Sequence, residues 1–290
     1  MGLVAMRVLV FGESGQVAKA LIRQAADIDL VTLGRDVADL STPDICAAVL
    51  RSRIGAADVV INAAAYTAVD RAEAEPELAH AINAAAPSAL AQVAAAAGKP
   101  FLHISSDYVF DGSGNAPRHP HDATGPLGVY GRTKLAGEAG VMAAGGVAVI
   151  LRTSWVFSAT GANFVKTMLR LGAARDRVSV VADQIGGPTP ALDLGRTLLV
   201  IARRLHDRTG PGGIYHYSGG PDVSWADFAR AVFAQAGMDV AVTDIPAADY
   251  PTPARRPANS RLDCSRLLAD YGIDRPDWQA GLAQVIADLS

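Results

Sequence analysis

From Met6 onward the chain alternates short, wholly apolar runs with longer stretches of helical period. Met6–Phe11 ("MRVLVF"), Leu30–Leu33, Val59–Ala63, Phe101–Ser105 and Val147–Thr153 read as buried strands. Between them, Gly15–Ala26, Pro43–Arg53, a long segment from Pro76 to Ala97, and Tyr130 to about Ala143 space their apolar residues as helices do. Ser41 or Thr42 stands where the second helix needs an N-cap, Pro76 opens the third, and Gly98 follows its last turn. Strands apolar on both faces, separated by helices, predict a parallel sheet covered on both sides. The expected fold class is α/β: a doubly wound, Rossmann-like parallel sheet over residues 1–155. After Ser154 the rhythm loosens. Helices are expected at Asn163–Ala173, at Ala191–Leu205 and from a Ser224 N-cap to Ala236, with Asp227 in capping-box position. Strands are expected at Val178–Val181 and Ile214–Tyr217, and a mostly helical tail from Leu262 to Ser290. This half, 156–290, is expected to be a smaller interleaved C-terminal substrate lobe, with elements near 178–217 joining the first sheet.

Composition narrows the function. The 290 residues are half hydrophobic, enough for a sizeable core, and carry a formal net charge of -3 from 26 basic and 29 acidic side chains. That balance gives no electrostatic footprint for nucleic acid or anionic lipid. Cys46 and Cys264 lie far apart and outside any C-x-x-C motif, which fits a reducing cytosol and offers neither a disulfide frame nor a zinc set. The N-terminus lacks a basic region and a long apolar run. The one long uncharged window, Ala81–Gly98, is alanine-rich and interrupted by Asn83, Pro87, Ser88 and Gln92, so it reads as a buried helix rather than a membrane span. The expectation is a cytoplasmic protein with a small-molecule substrate, no nucleic acid and no membrane partner.

Four stretches can carry chemistry. "FGESGQVA" follows the first strand: Gly12 permits a tight turn, Gly15 a close approach of backbone to a pyrophosphate, and the amides of Gly15, Gln16 and Val17 would meet an anion at the positive end of a helix. The plain alternative is an ordinary glycine turn. After the second strand, "LGRDVADL" places Arg35 where the usual NAD signature has an acidic residue; an arginine there pairs with a 2′-phosphate, which favours NADPH without excluding NADH, unless Arg35 is simply solvated. Ala63, Ala64 and Ala65 would let a cofactor lie against the sheet edge, or serve helix–sheet packing. "ISSDYVFDG" puts Ser105, Ser106 and Asp107 at a strand's carboxyl end, where their oxygens would bind a substrate carbonyl or cap a turn. "VYGRTKLAGE" then sets Tyr130 and Lys134, one of only four lysines, at i and i+4 on one helical face. An adjacent ammonium favours the phenolate, so the pair is expected to lower the tyrosine's pKa and make it an acid–base group, with Lys134 also reaching the nicotinamide ribose.

Together "GESGQVA", Ser106 before "YVF", and "YGRTK" resemble the extended short-chain dehydrogenase/reductases. "NAAAYTAVDRAE", "SSDYVFDG", "LRTSWVF", "VVADQIGGPTPA", "YHYSGG" with Trp225, and "RRPANSRLD" are similar to the dTDP-4-dehydrorhamnose reductase family over nearly the whole chain. The resemblance implies Ser106, Tyr130 and Lys134 as a catalytic triad, with serine where many members have threonine. It implies that Asp107 and Trp155 touch the sugar, that Asp39 and Leu40 join Gly12, Gly15, Gln16, Val17, Arg35, Ala63, Ala64, Ala65, Tyr130 and Lys134 around the cofactor, and that Asn83 either relays protons or packs. The implied reaction is reduction of dTDP-4-dehydro-L-rhamnose to dTDP-L-rhamnose, a nucleotide sugar for cell-surface polysaccharide. Pro120-His121-Asp122 departs from a common Glu-x-Asp pattern. Some members form a metal-dependent dimer through acidic residues; the tail "ADLS" has no clear acidic cluster, so no metal is carried over, and the assembly is a monomer or homodimer. Two rival readings stand: a nucleotide-sugar epimerase or 4,6-dehydratase, against which Tyr108 stands where dehydratases have glutamate after Asp107, and a non-catalytic regulatory subunit resembling that of methionine adenosyltransferase.

Overall fold

The structure is a computed structural model that describes residues 5–289. The first four residues and Ser290, at the ends of the expected domain limits and of the helical tail, lie outside the described residues. In chain order the first half runs β1 (Arg7–Phe11), α1 (Gln16–Gln24), β2 (Asp29–Leu33), α2 (Pro43–Arg53), β3 (Val59–Asn62), α3 (Val69–Ala72), α4 (Pro76–His80), α5 (Ala86–Ala96), β4 (Phe101–Ser106), α6 (Val129–Ala143) and β5 (Ala148–Thr153). The second half runs β6 (Val156–Phe157), α7 (Phe164–Gly172), β7 (Arg177–Val181), β8 (Ile185–Gly186), β9 (Thr189–Pro190), α8 (Ala191–His206), β10 (Gly213–His216), β11 (Val223–Ser224), α9 (Trp225–Gln235), β12 (Ala241–Ile245), β13 (Asn259–Ser260), α10 (Ser265–Tyr271) and α11 (Trp278–Leu289).

Six strands form one parallel sheet in the order β10-β5-β4-β3-β1-β2. Side chains alternate across it as strand geometry requires. Leu9, Phe11, Phe101 and Ile150 bury on one face with Leu50 and Leu90; Val8, Val10, Leu102 and Leu151 bury on the other with Leu21, Leu198 and Tyr215. A third core, built on Phe157, Phe228, Phe233, Trp278 and Leu282, lies among the later helices. No described helix is long and apolar enough to cross a membrane.

Three elements differ from the sequence expectation. The single helix from Pro76 to Ala97 is broken by a π-helical turn at Ala81–Ala85 between α4 and α5. Pro87 has no N–H to give the Asn83 carbonyl four residues back, so the ladder widens there. The expected strand at Val178–Val181 pairs with β12 in a separate two-stranded sheet; of the later strands β10 alone joins the six, alongside β5. The tail is two helices, because Gly272 ends α10 in the left-handed region at φ 69°.

Candidate active site

The carboxyl ends of β1, β3, β4 and β5 meet at one edge, where α/β folds bind ligands. Gly12 leaves β1 at φ +112°, and a Cβ there would stand 3.3 Å from Ala64, so the turn is reserved for glycine. Gly15 is the N-cap of α1 and supplies no side-chain cap, and nothing lies within 4 Å of the space its Cβ would fill. The first amides of α1 are thus open to an anion.

Tyr130 is carried by the first turn of α6, whose N-cap, Gly128, has no side chain. Glu73, from the turn that ends α3, takes the cap's place: its Oε1 accepts from the Val129 amide at 2.7 Å. Asn83 in the π turn accepts from the Tyr66 amide at 2.8 Å and donates to Thr133 Oγ1 at 3.2 Å, while Thr133 donates to the Tyr130 carbonyl at 2.9 Å. Its side chain therefore fastens the β3 loop to α6. A Cβ on Gly137 would collide with the Asn83 carbonyl, which is why α6 sits this close.

One cavity of about 450 Å³ is lined by Gln16, Val17, Ala63, Ala64, Ala65, Ser106, Asp107, Tyr130, Lys134 and Trp155. Ser106 Oγ donates to Asp107 Oδ1 at 3.0 Å. Asp107 is buried, and its Oδ2 has no hydrogen-bond partner. Burial pushes its carboxyl up to about 6, against the pull of the Ser260 and Ser106 hydroxyls. Tyr108 stacks edge-on against Tyr130 at 5.3 Å. Lys134 is buried, donates to the Ile104 carbonyl at 2.7 Å and lies 3.4 Å from His103 Nε2. Here the sequence expectation fails in this structure: Tyr130 is raised, not lowered. Burial pushes its phenol up to about 12, with the neighbouring Ser106 hydroxyl drawing it back and Asp107 raising it further. The lysine points at the strand, and its own ammonium is brought down to about 8 by burial.

Five predicted residues lie outside the lining of this cavity. Gly12 and Gly15 form the turn beside it. Arg35 is exposed, and at Gly34, beside it in the chain, Glu13 Oε2 and Asp36 Oδ1 lie 2.5 and 2.6 Å from where a Cβ would be. Asp39 Oδ1 accepts from the Ser41 amide at 2.9 Å, so its side chain shapes the turn before α2, and Leu40 is core.

Trp155 occupies φ 50°, rare for a non-glycine, and stacks on Trp225 at 3.5 Å and 12°. Beyond that pair opens a second cavity of about 1050 Å³, lined by Phe164 and Trp225 with Arg170, Arg175, Arg255 and Arg256 and by no carboxylate. Arg256 is held by Asp70, at 2.8 Å and 3.1 Å. Beyond the resemblance of "RRPANSRLD", nothing local in the sequence signals this arginine-lined cavity, because its cations come from two distant segments, 170–175 and 255–256.

The fold, with Ser106, Tyr130 and Lys134 gathered at its carboxyl edge, is that of the extended short-chain dehydrogenase/reductases. The family model described as RmlD substrate binding domain matches residues 6–290. The dTDP-4-dehydrorhamnose reductase of Sinorhizobium fredii is 47% identical over 288 residues, covering 97% of both chains, and that of Salmonella typhimurium is 40% identical over 297, covering 98% of both. Among solved structures, the Bacillus anthracis dTDP-4-dehydrorhamnose reductase in complex with NADP superposes with a TM-score of 0.89 at 33% identity, covering 98% of this chain and 100% of that one. The chain belongs to the dTDP-4-dehydrorhamnose reductase family, and with it to the oxidoreductases.

Proposed function

We propose that this protein reduces dTDP-4-dehydro-L-rhamnose to dTDP-L-rhamnose with NADPH. What supports the reading is that one cavity holds a protonated phenol, a serine hydroxyl and a carboxylate with one unpartnered oxygen beside the open N-terminus of α1. The Gly12–Val17 turn, the three alanines and Lys134 would hold the cofactor, which when bound supplies the hydride. The four arginines and the Trp225–Phe164 wall suit a nucleoside diphosphate, whose sugar then reaches past Trp155 to Tyr130.

The side-chain acidities descend in a useful order. A phenol near 12 keeps its proton at neutral pH, so Tyr130 holds it ready for the sugar's O4, and Ser106 orients that oxygen. The alkoxide left by reduction is more basic than a phenolate, so the transfer runs downhill. Lys134, near 8, is acidic enough to return a proton to Tyr130 through a bridging water or substrate hydroxyl. Asp107, whose Oδ2 is buried without a hydrogen-bond partner, would accept from a sugar hydroxyl brought against it.

Given dTDP-4-keto-L-rhamnose, the purified protein is expected to oxidise NADPH stoichiometrically, the nicotinamide absorbance falling until one reagent is exhausted. Sugar conversion with a flat NADPH signal replaces this reading with the epimerase or dehydratase; no change in either supports the regulatory subunit. Two further results are expected. Arg35→Ala weakens NADPH more than NADH, because a charge-assisted contact to phosphate is worth about 1.5–3 kcal/mol, more than tenfold in Kd; equal losses would exclude Arg35 as the reader of the 2′-phosphate. As pH falls through about 6, Asp107 protonates, its free oxygen becomes a poorer acceptor, and KM for the sugar rises. Asp107→Asn removes that acid limb; a limb that survives the substitution belongs to another group.

A further inference from the structure

Behind Lys134 lies a buried polar chain that the reaction as proposed does not use. The Ala64 amide donates to Asn62 Oδ1 at 3.2 Å, which fixes the orientation of the Asn62 amide. Asn62 Nδ2 therefore faces His103 Nδ1, 3.1 Å away. A ring nitrogen that receives an N–H carries a lone pair, so Nδ1 is unprotonated. The ring is neutral, because full burial first and the Lys134 charge second hold its pKa well below the usual histidine value. Its one proton then sits on Nε2, 3.4 Å from Lys134 Nζ. The histidine thus presents the lysine with an N–H rather than a lone pair. A free amine can receive that N–H; an ammonium has no lone pair to do so. His216 makes the opposite choice with the same logic: its Nδ1 lies 2.9 Å from the Arg118 carbonyl, which only accepts, so its Nε2 lone pair faces Arg152 Nη1 at 3.4 Å.

We infer that His103 is a positioning residue acting through Lys134: its fixed Nε2–H favours the free amine of Lys134 over the ammonium, and so makes Lys134 a readier proton donor to Tyr130. The inference rests on the reading of Tyr130 as the acid. The proton balance closes. Tyr130 loses its O–H proton to the sugar oxygen; a Lys134 N–H bond breaks and its proton passes through a bridging water or substrate hydroxyl as the Tyr130 O–H bond reforms; the amine then takes a proton from solvent. The other groups around Lys134 are Tyr130 and Glu138 on its own helix, with Asp107 and Tyr108 across the cavity and Arg152 of β5 engaged with Glu138. Of these, Glu138 favours the ammonium, so the bias against it comes from burial and from β4.

The test reads the cofactor-free protein. Two-bond ¹H–¹⁵N spectra of histidine-labelled protein are expected to give His103 the Nε2–H tautomer, and ¹³Cε-lysine spectra, with only four lysines to resolve, a Lys134 midpoint at least one pH unit below the other three. Asn62→Asp turns the locking donor into an acceptor; His103 is expected to switch to Nδ1–H, offering its Nε2 lone pair to Lys134, and the Lys134 midpoint to rise at least tenfold in proton affinity. An Nδ1–H tautomer or an imidazolium in the wild-type protein overturns the inference, and this holds even where the variant does not fold. So does a switched tautomer with an unmoved lysine, or a moved lysine with no switch, which would be the added charge acting alone. None of these readings depends on turnover, so a protein that fails to oxidise NADPH overturns the reductase reading and leaves this measurement separately decided.

Discussion

Tyr130→Phe is expected to lower kcat by about 10²–10⁴-fold, the usual worth of a positioned general acid, while the cofactor Kd and the melting point stay close to wild type. The Tyr130 phenol lines the 450 Å³ cavity, burial holds its proton well above neutrality, and the Ser106 hydroxyl lies beside it. Phenylalanine keeps the ring, its edge-on contact with Tyr108 and the α6 backbone held by Glu73 and Thr133. The loss should therefore fall on chemistry rather than on binding. A variant that retains near wild-type kcat would show that the proton comes from elsewhere, and the descending order from Lys134 through Tyr130 to the sugar would have to be abandoned.

Arg152→Met is expected to destabilise the protein by about 3–5 kcal/mol, the range for removing one partner of a buried ion pair. Arg152 and Glu138 are each 3% exposed; Nε donates to Oε1 at 2.9 Å and Nη2 to Oε2 at 2.6 Å. The guanidinium also lies 5.0 Å from the Phe110 ring centre and donates to the Pro120 carbonyl at 3.1 Å. This clamp ties β5 to α6 and to the loop before it, where Pro120-His121-Asp122 departs from the family's common pattern. Methionine leaves the Glu138 carboxylate buried without its hydrogen-bonded partner, so the loss comes from a stranded charge. The double variant Arg152→Met/Glu138→Leu should recover most of it, since replacing a whole buried pair with apolar side chains of similar volume is often neutral. Thermal unfolding followed by circular dichroism measures both; a double variant no more stable than the single one would show that the stranded charge was not the cause.

Much of the fold was legible because its signals are local. Apolar runs such as "MRVLVF" and "VAVILRT" can be buried only as interior strands, and the helices between them declare themselves by period and by Pro76, Thr42 and Ser224 at their starts. The site's membership was legible for the same reason. Tyr130 and Lys134 share a face through their spacing alone, and Ser106 and Asp107 sit at a strand end because β4 stops there. What happens between these residues was not legible. The spacing of Tyr130 and Lys134 carried the expectation of a lowered phenol, yet the depth of burial and the direction of the lysine decide its sign, and both are set by β4, a different segment. The π turn depends on Pro87 meeting a helix that Gly137 lets approach, and the His103 tautomer on an amide in β3 oriented by Ala64. Residue types and their periodicity determine which groups are brought to the sheet edge. Their protonation is decided only by tertiary packing, because desolvation and hydrogen-bond direction are properties of neighbours that the chain places far apart in sequence.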